Sequence, residues 1–164
     1  MSRPNLRLRT VIVAVLVVAL LAAAAADVVL TLRVRERDRV SAAEQAAMSQ
    51  AATRLPTLLS YSSKTLDHDL DAAVASTTGS FRDDYRTVLE QQVRPNAQGA
   101  RLTTVASVDG LAVVSGDADR VVVLAFLTQT TTEGSRDPQS SATRVEATLD
   151  RVGDAWLVSD LKPV

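Results

Sequence analysis

Residues 11–32 constrain this chain more than any other stretch. They read VIVAVLVVALLAAAAADVVLTL, 22 residues with one charge, Asp27. A bilayer core of ~30 Å needs about 20 apolar residues at ~1.5 Å rise each. The stretch is therefore long enough to span. Asp27 lies near its end, where a carboxylate costs less than the roughly 2.5–3.5 kcal/mol expected at a helix centre. A second reading competes. Arg3, Arg7 and Arg9 before an apolar run, with Ala-x-Ala options at 22–26, also describe a cleaved signal peptide. Cleavage near Asp27 would leave a start that is apolar and then strongly basic, which suits export poorly. The uncleaved anchor is the favoured expectation.

Charge divides the chain in the same place. Residues 1–40 carry seven Arg against Asp27, Glu36 and Asp38, and residues 41–164 carry eleven Lys+Arg against sixteen Asp+Glu. The globular part is mildly acidic, which argues against a nucleic-acid partner. No cysteine is present, so disulfides and thiol chemistry are excluded. Arg33, Arg35, Arg37 and Arg39 balance the three arginines of the first flank, so counting alone gives no clear inside. The first flank usually dominates, which favours a cytoplasmic N-terminus and an extracytoplasmic domain. On a helix the four arginines spread around the circumference, as a solvated collar or as one that meets lipid head groups or a partner.

The expected organisation is a tail over 1–10, an anchor over 11–32, an Ala-rich juxtamembrane helix over 33–64 and an α+β domain over 65–164, with the preceding helix packing on its sheet. Val40, Ala43, Ala47, Ala51 and Leu55 recur at helical spacing, a face so small that a neighbour can approach closely. Pro56 should kink or end that helix, with Tyr61 following on. A short helix is predicted over 65–75, with Asp67, Asp69 and Asp71 near its start. Their spacing fails as a calcium loop, because Ala72 and Thr78 stand where Gly and Glu are needed. His68, the only histidine, reads as a surface residue. Ser80 and Asp83 suggest a capping box for a helix from Phe81 to about Val93. Phe81, Tyr85, Val88, Leu89 and Val93 would form its core face, and Pro95-Asn96 its end.

After Gly99 the period changes to two. Leu102, Thr104, Ala106 and Val108 alternate, and Asp109-Gly110 signals a turn or bulge. Residues 120–132 read as the longest strand, its first half apolar on both faces and so a central strand covered on both sides. Residues 134–141 read as an exposed loop. Thr143, Val145, Ala147 and Leu149 then alternate, Gly153-Asp154 makes a tight hairpin turn, and the last strand carries Trp156.

Helices followed by hairpin-linked strands predict an α+β class, with helices on one face of a curved antiparallel sheet. The element order is similar to the cone-shaped fold of nuclear transport factor 2 and ketosteroid isomerase. That fold hosts many functions and names none. The membrane segment, the Ala-rich helix, Tyr61, Asp67, Gly79-Ser80-Phe81 to Tyr85, residues 121–129, Trp156-Leu157-Val158 and Leu161-Lys162-Pro163-Val164 together resemble the actinobacterial Mce-associated membrane proteins, where Mce abbreviates mammalian cell entry. The resemblance covers essentially the full length. It implies a single-pass plasma-membrane protein with an extracytoplasmic domain, which assembles with or stabilises Mce lipid importers. Its partners would be Mce complex subunits and membrane lipid. It carries no catalytic residue onto this chain.

The residues themselves agree with a non-enzyme. The acids fall in turns (Asp109, Asp117, Asp154), at outward strand positions (Glu146, Asp150) or at helix starts. No carboxylate pair, nucleophile–base set, metal site or cofactor loop emerges. Two readings follow. The first is an accessory subunit of a lipid-transport complex. The second is a module that binds lipid or sterol in an apolar pocket of the cone.

Overall fold

The structure is a computed structural model that describes the backbone from residue 6 onward and the side chains of Thr31 and of residues 33–164. The expected tail over 1–10 and anchor over 11–32 lie outside these described side chains, Thr31 apart. Among the described residues, no helix is long and apolar enough to cross a membrane. The chain divides into two units, Met1–Arg39 and Val40–Val164. In the first, Arg33, Arg35, Arg37 and Arg39 are all exposed, and Arg39 approaches Glu36 to 3.9 Å.

The second unit is a mixed helical and antiparallel domain. Helix α1 (Leu6–Leu59) ends within it. There follow strand β1 (Tyr61–Ser62) and helices α2 (Leu66–Ala75) and α3 (Gly79–Val88). A π-helical turn (Leu89–Val93), helix α4 (Arg94–Gly99) and strands β2 (Leu102–Gly116), β3 (Arg120–Glu133), β4 (Gln139–Val152) and β5 (Ala155–Pro163) complete it. The sheet order is β1-β2-β3-β4-β5, antiparallel throughout, so β3 is the central strand.

The core forms where α1 meets the inner face of that sheet. Ala43, Ala47, Ala51, Leu55 and Leu58 pack with Val121, Val123, Ala125 and Leu127 of β3 and with Val145, Ala147 and Leu149 of β4; Trp156 and Val158 of β5 complete the cluster. Small side chains at four-residue intervals let the helix lie close to the strands. Ala47 and Ala51 have no exposed surface at all. A second cluster joins Leu66, Leu70 and Ala73 of α2 to Leu89 and Ala97. Tyr85 links the two. It stacks on Phe81, with ring centroids 5.4 Å apart, and its hydroxyl donates to the Leu58 carbonyl at 2.5 Å. That carbonyl lies in the last turn of α1, where no helical donor reaches it. Tyr85→Phe should therefore lower stability by about 0.5–1.5 kcal/mol in a denaturant titration.

Several expectations are corrected. The helix expected over 33–64 ends at Leu59, one turn past Pro56, and residues 61–62 are strand rather than helix. One missing donor in a terminal turn is a small loss beside the burial of Leu55 and Leu58. The capping box does not form. Helix α3 starts at Gly79 with Thr78 as N-cap and no side-chain cap. Thr78 is extended because its N–H bonds the Val158 carbonyl at 2.9 Å, tying it to β5. Pro95 does not end the helical run. The wide turn over Leu89–Val93 precedes it, and Pro95 then sits in the first turn of α4, where its lost N–H is tolerated. Val88 is exposed rather than core.

Among the strands, β2 is the longest, at 15 residues. Asp109-Gly110 is a bulge inside it, between Val108 and Gly110. The loop expected over 134–141 is shorter, because β4 starts at Gln139. There Ser140 pairs with Thr130, their hydroxyls 2.8 Å apart. Polar pairing, not burial, extends that strand. Gly153-Asp154 is the two-residue turn expected, with Gly153 at φ +62°, in the left-handed region that glycine adopts without strain.

Candidate interaction surface

The inner face of the sheet is filled by α1, so the outer face carries what remains. β3 alternates strictly there. Val121, Val123, Ala125 and Leu127 are buried while Val122, Leu124 and Phe126 are not. The expectation that β3 is covered on both sides is therefore wrong. Its outer apolar residues form the centre of an open face instead. Phe126 is 42% exposed and stands over Gly110 of β2, where an added Cβ would meet its ring at 3.8 Å. Exposed Ala112 lies opposite Leu124, and exposed Val105 lies further along the same strand.

Charge rims this patch. Arg144 faces Phe126, Glu146 faces Leu124 and Lys162, and Arg120 pairs with Asp150 across β3 and β4. The Arg120–Asp150 contact is bidentate, at 2.6 and 2.8 Å. The Arg120 guanidinium holds the Asp150 carboxyl below the usual carboxylate range against a smaller opposing effect of burial. A depressed carboxyl contributes stability above its unfolded pKa and loses it as pH falls through the folded one. Asp150→Asn should therefore be less stable than the parent near neutrality. The gap should close as the pH drops below about 3.8, the ordinary value. Thermal melts between pH 2 and 7 check this. Beside the Arg120–Asp150 pair, which helps to line it, an open groove of about 550 Å³ runs between the start of α3 and the sheet, past Phe81, Asp84, Val122 and Asp160.

The residues singled out in the sequence take structural places. The three aspartates of α2 do not converge. Asp67 is exposed and pairs with Arg94, which also holds Glu90 at 2.6 Å. Asp71 is exposed. Asp69 accepts from the Ser62 N–H at 2.9 Å and from the Thr65 hydroxyl at 2.7 Å, which fastens α2 to β1. Burial raises its carboxyl, but these hydrogen bonds outweigh it and leave it below the ordinary range. His68 is largely exposed, with Nδ1 3.4 Å from Asp69. It lines an open groove of about 330 Å³ with Tyr61, Asp69 and Thr103. Asp109 accepts from the Thr128 hydroxyl at 2.7 Å, and Asp117 caps the β2–β3 turn. Among the described residues, no group of His, Asp or Glu is placed to hold a metal ion. The outer patch itself was missed in the sequence. Its one signal was the interruption of an apolar run by alternating neighbours on β4, where Arg144, Glu146 and Thr148 must all face the same way.

No family model matches the chain. Solved structures share its fold, two of them as follows. An IcmL-like type IV secretion system protein from Legionella pneumophila superposes with a TM-score of 0.63 at 10% identity, over 71% of this chain and 88% of that one. The periplasmic domain of DotI gives 0.64 at 14% identity, over 74% and 94%. At such identities the likeness concerns the fold alone. In sequence, the outer membrane protein Rv1973 of Mycobacterium tuberculosis is 41% identical over 127 residues, which make up 77% of this chain and 79% of that protein. With that identity over most of both proteins, the chain belongs to the family of the mycobacterial outer membrane protein Rv1973.

Proposed function

We propose that this protein is a non-enzymatic, membrane-anchored accessory subunit of the cell envelope that associates with or stabilises an Mce-type lipid importer. The observation that carries the reading is the use made of the sheet. Its inner face, where a cone-shaped domain of the nuclear transport factor 2 kind would keep a pocket, is packed against α1. Its outer face presents an apolar patch with a charged rim, suited to protein contact. Support also comes from the company of the fold. It occurs in the periplasmic domain of DotI and in a type IV secretion system protein, and the relative is named for the outer membrane. An apolar stretch of 22 residues suits a helical span better than a strand of a barrel, so we assign the anchor to the plasma membrane, N-terminus inside.

The test is deletion in the native host. Importer subunits should fall in abundance, lipid uptake should fall with them, and both should return on complementation. Unchanged subunit levels and unchanged uptake would reject the reading. A reporter fused to the C-terminus should report from outside the cytoplasm. Native mass spectrometry of the protein from its host separates the second reading, that of a lipid-binding module. A stoichiometric co-purifying lipid, with a rise in melting temperature on adding it back, would favour that module over the accessory subunit.

A further inference from the structure

The two edges of the sheet are treated differently. The free edge of β5 is capped along its length. The Trp156 N–H bonds the Gln50 side chain at 3.2 Å. Val158 bonds Ser76 and Thr78 through its N–H and its carbonyl, and the Leu161 N–H bonds the Asp160 carboxyl at 3.0 Å. The β2 edge is covered only at its start. Thr103 and Thr104 pair with β1, and the Ala106 N–H bonds the Ser60 hydroxyl at 2.9 Å. Among the described residues, none outside β3 bonds the backbone of residues 108–116 on its open side. This length carries no Lys and no Pro, and its guards against pairing with another strand are two bulges and Asp109.

Which groups point outward follows from alternation. The Ala106 N–H faces the open side, so Val108 does too. One extra residue then falls between Val108 and Gly110 and another between Val113 and Ser115. Each bulge shifts the alternation by one. The outward residues are therefore Val108, Leu111, Val113 and Gly116. They stand four and one residues before Ala112, and one and four after it. The edge is symmetric about Ala112.

We infer that this edge pairs with the same edge of a second copy, antiparallel about a two-fold axis at Ala112. Leu111 then faces Val113 of the second copy, and Val108 faces its Gly116. Every outward group finds an outward partner, giving about eight backbone hydrogen bonds. The three-two-three spacing set by the bulges repeats in the opposite sense on the second copy, which an unbulged strand does not match. Charge agrees, because Asp109, the one ionised residue of the segment, falls opposite Ser115 and not opposite another acid. Ala112 meets Ala112 in a non-bonded pair, where small side chains allow the closest approach. The result is an isologous dimer with one continuous sheet built from two five-stranded sheets.

The chain has no cysteine, so single cysteines test the pairing in the full-length protein held in nanodiscs. Facing residues of a non-bonded pair lie about 4.5 Å apart at Cα, within reach of a disulfide. Ala112→Cys should cross-link to a dimer under mild oxidation, at least about tenfold faster than Val105→Cys, which is exposed on the same strand outside the symmetric segment. Val113→Pro removes an outward N–H and spares the bonds to β3, so it should weaken the dimer at least about tenfold in mass photometry. A monomer at all concentrations overturns the inference. So does a dimer in which the Ala112→Cys variant cross-links no faster than the Val105→Cys variant.

Discussion

Trp156→Ala should cost about 3–5 kcal/mol, the range for deleting a buried large aromatic side chain. Trp156 is 3% exposed and belongs to the cluster that joins α1 to β3, β4 and β5. The rings of Phe81 and Tyr85 pack against the same cluster but are stacked on each other, and the Tyr85 hydroxyl is held by the Leu58 carbonyl. The backbone of Trp156 is pinned as well, because the Trp156 N–H bonds the Gln50 oxygen that also receives both Arg54 donors, at 3.0 and 2.9 Å. The strand end cannot collapse inward without breaking that contact. A domain of ordinary stability holds about 5–15 kcal/mol, so the variant should lie near the edge of folding. Urea titration reads the effect. Trp156→Phe should recover part of it, and a loss under about 1 kcal/mol for the alanine variant would mean that the site relaxes.

The Gln50 contact also shows how the helix and the last strand depend on each other. Gln50 lies on α1 beside the buried Ala47 and Ala51 and reaches the first residues of β5. Two residues further along β5, Val158 is held by Ser76 and Thr78, and Arg82 donates to the Thr77 carbonyl at 2.9 Å. Both helical layers thus bind one edge strand. Of the two sheet edges, this leaves that of β2 open over residues 108–116 among the described residues.

Periodicity made the fold readable where each residue had one dominant neighbour. The four-residue spacing of Ala43, Ala47, Ala51 and Leu55 marks a helix face, and that face is the one the sheet covers. Gly153-Asp154 and Asp109-Gly110 mark the turn and the bulge through local backbone demands. Where tertiary contacts outweighed local rules, the sequence misled. Pro56 read as a kink or an end and Pro95 as an end, but burial of Leu55 and Leu58 carried one helix a turn past its proline and a π-helical turn absorbed the other. Val122, Leu124 and Phe126 read as buried because an apolar run does not tell a strand covered on two faces from one covered on one. The edge symmetry about Ala112 was not legible at all. It depends on the position of a second bulge, between Val113 and Ser115, that no glycine or aspartate announces.

Ala51→Leu should destabilise the domain by about 1–3 kcal/mol through overpacking. Leucine is nearly as good a helix former as alanine, so on an exposed face the change would be close to neutral. At position 51 the added side chain has nowhere to go. Ala51 is wholly buried, as are Val121, Val123, Ala125 and Ala147 on the strands opposite. Three extra carbons must push α1 away from β3 and β4 or force side chains off their rotamers. Ala52→Leu is the matched control, because Ala52 is exposed one residue on. A melting temperature lowered for Ala51→Leu and unchanged for Ala52→Leu places the effect in the contact with the sheet. Equal melting temperatures would mean that a cavity remains between α1 and the sheet. The same pair of variants then bears on function, since such a cavity is what a lipid-binding module requires and a close-packed helix forbids.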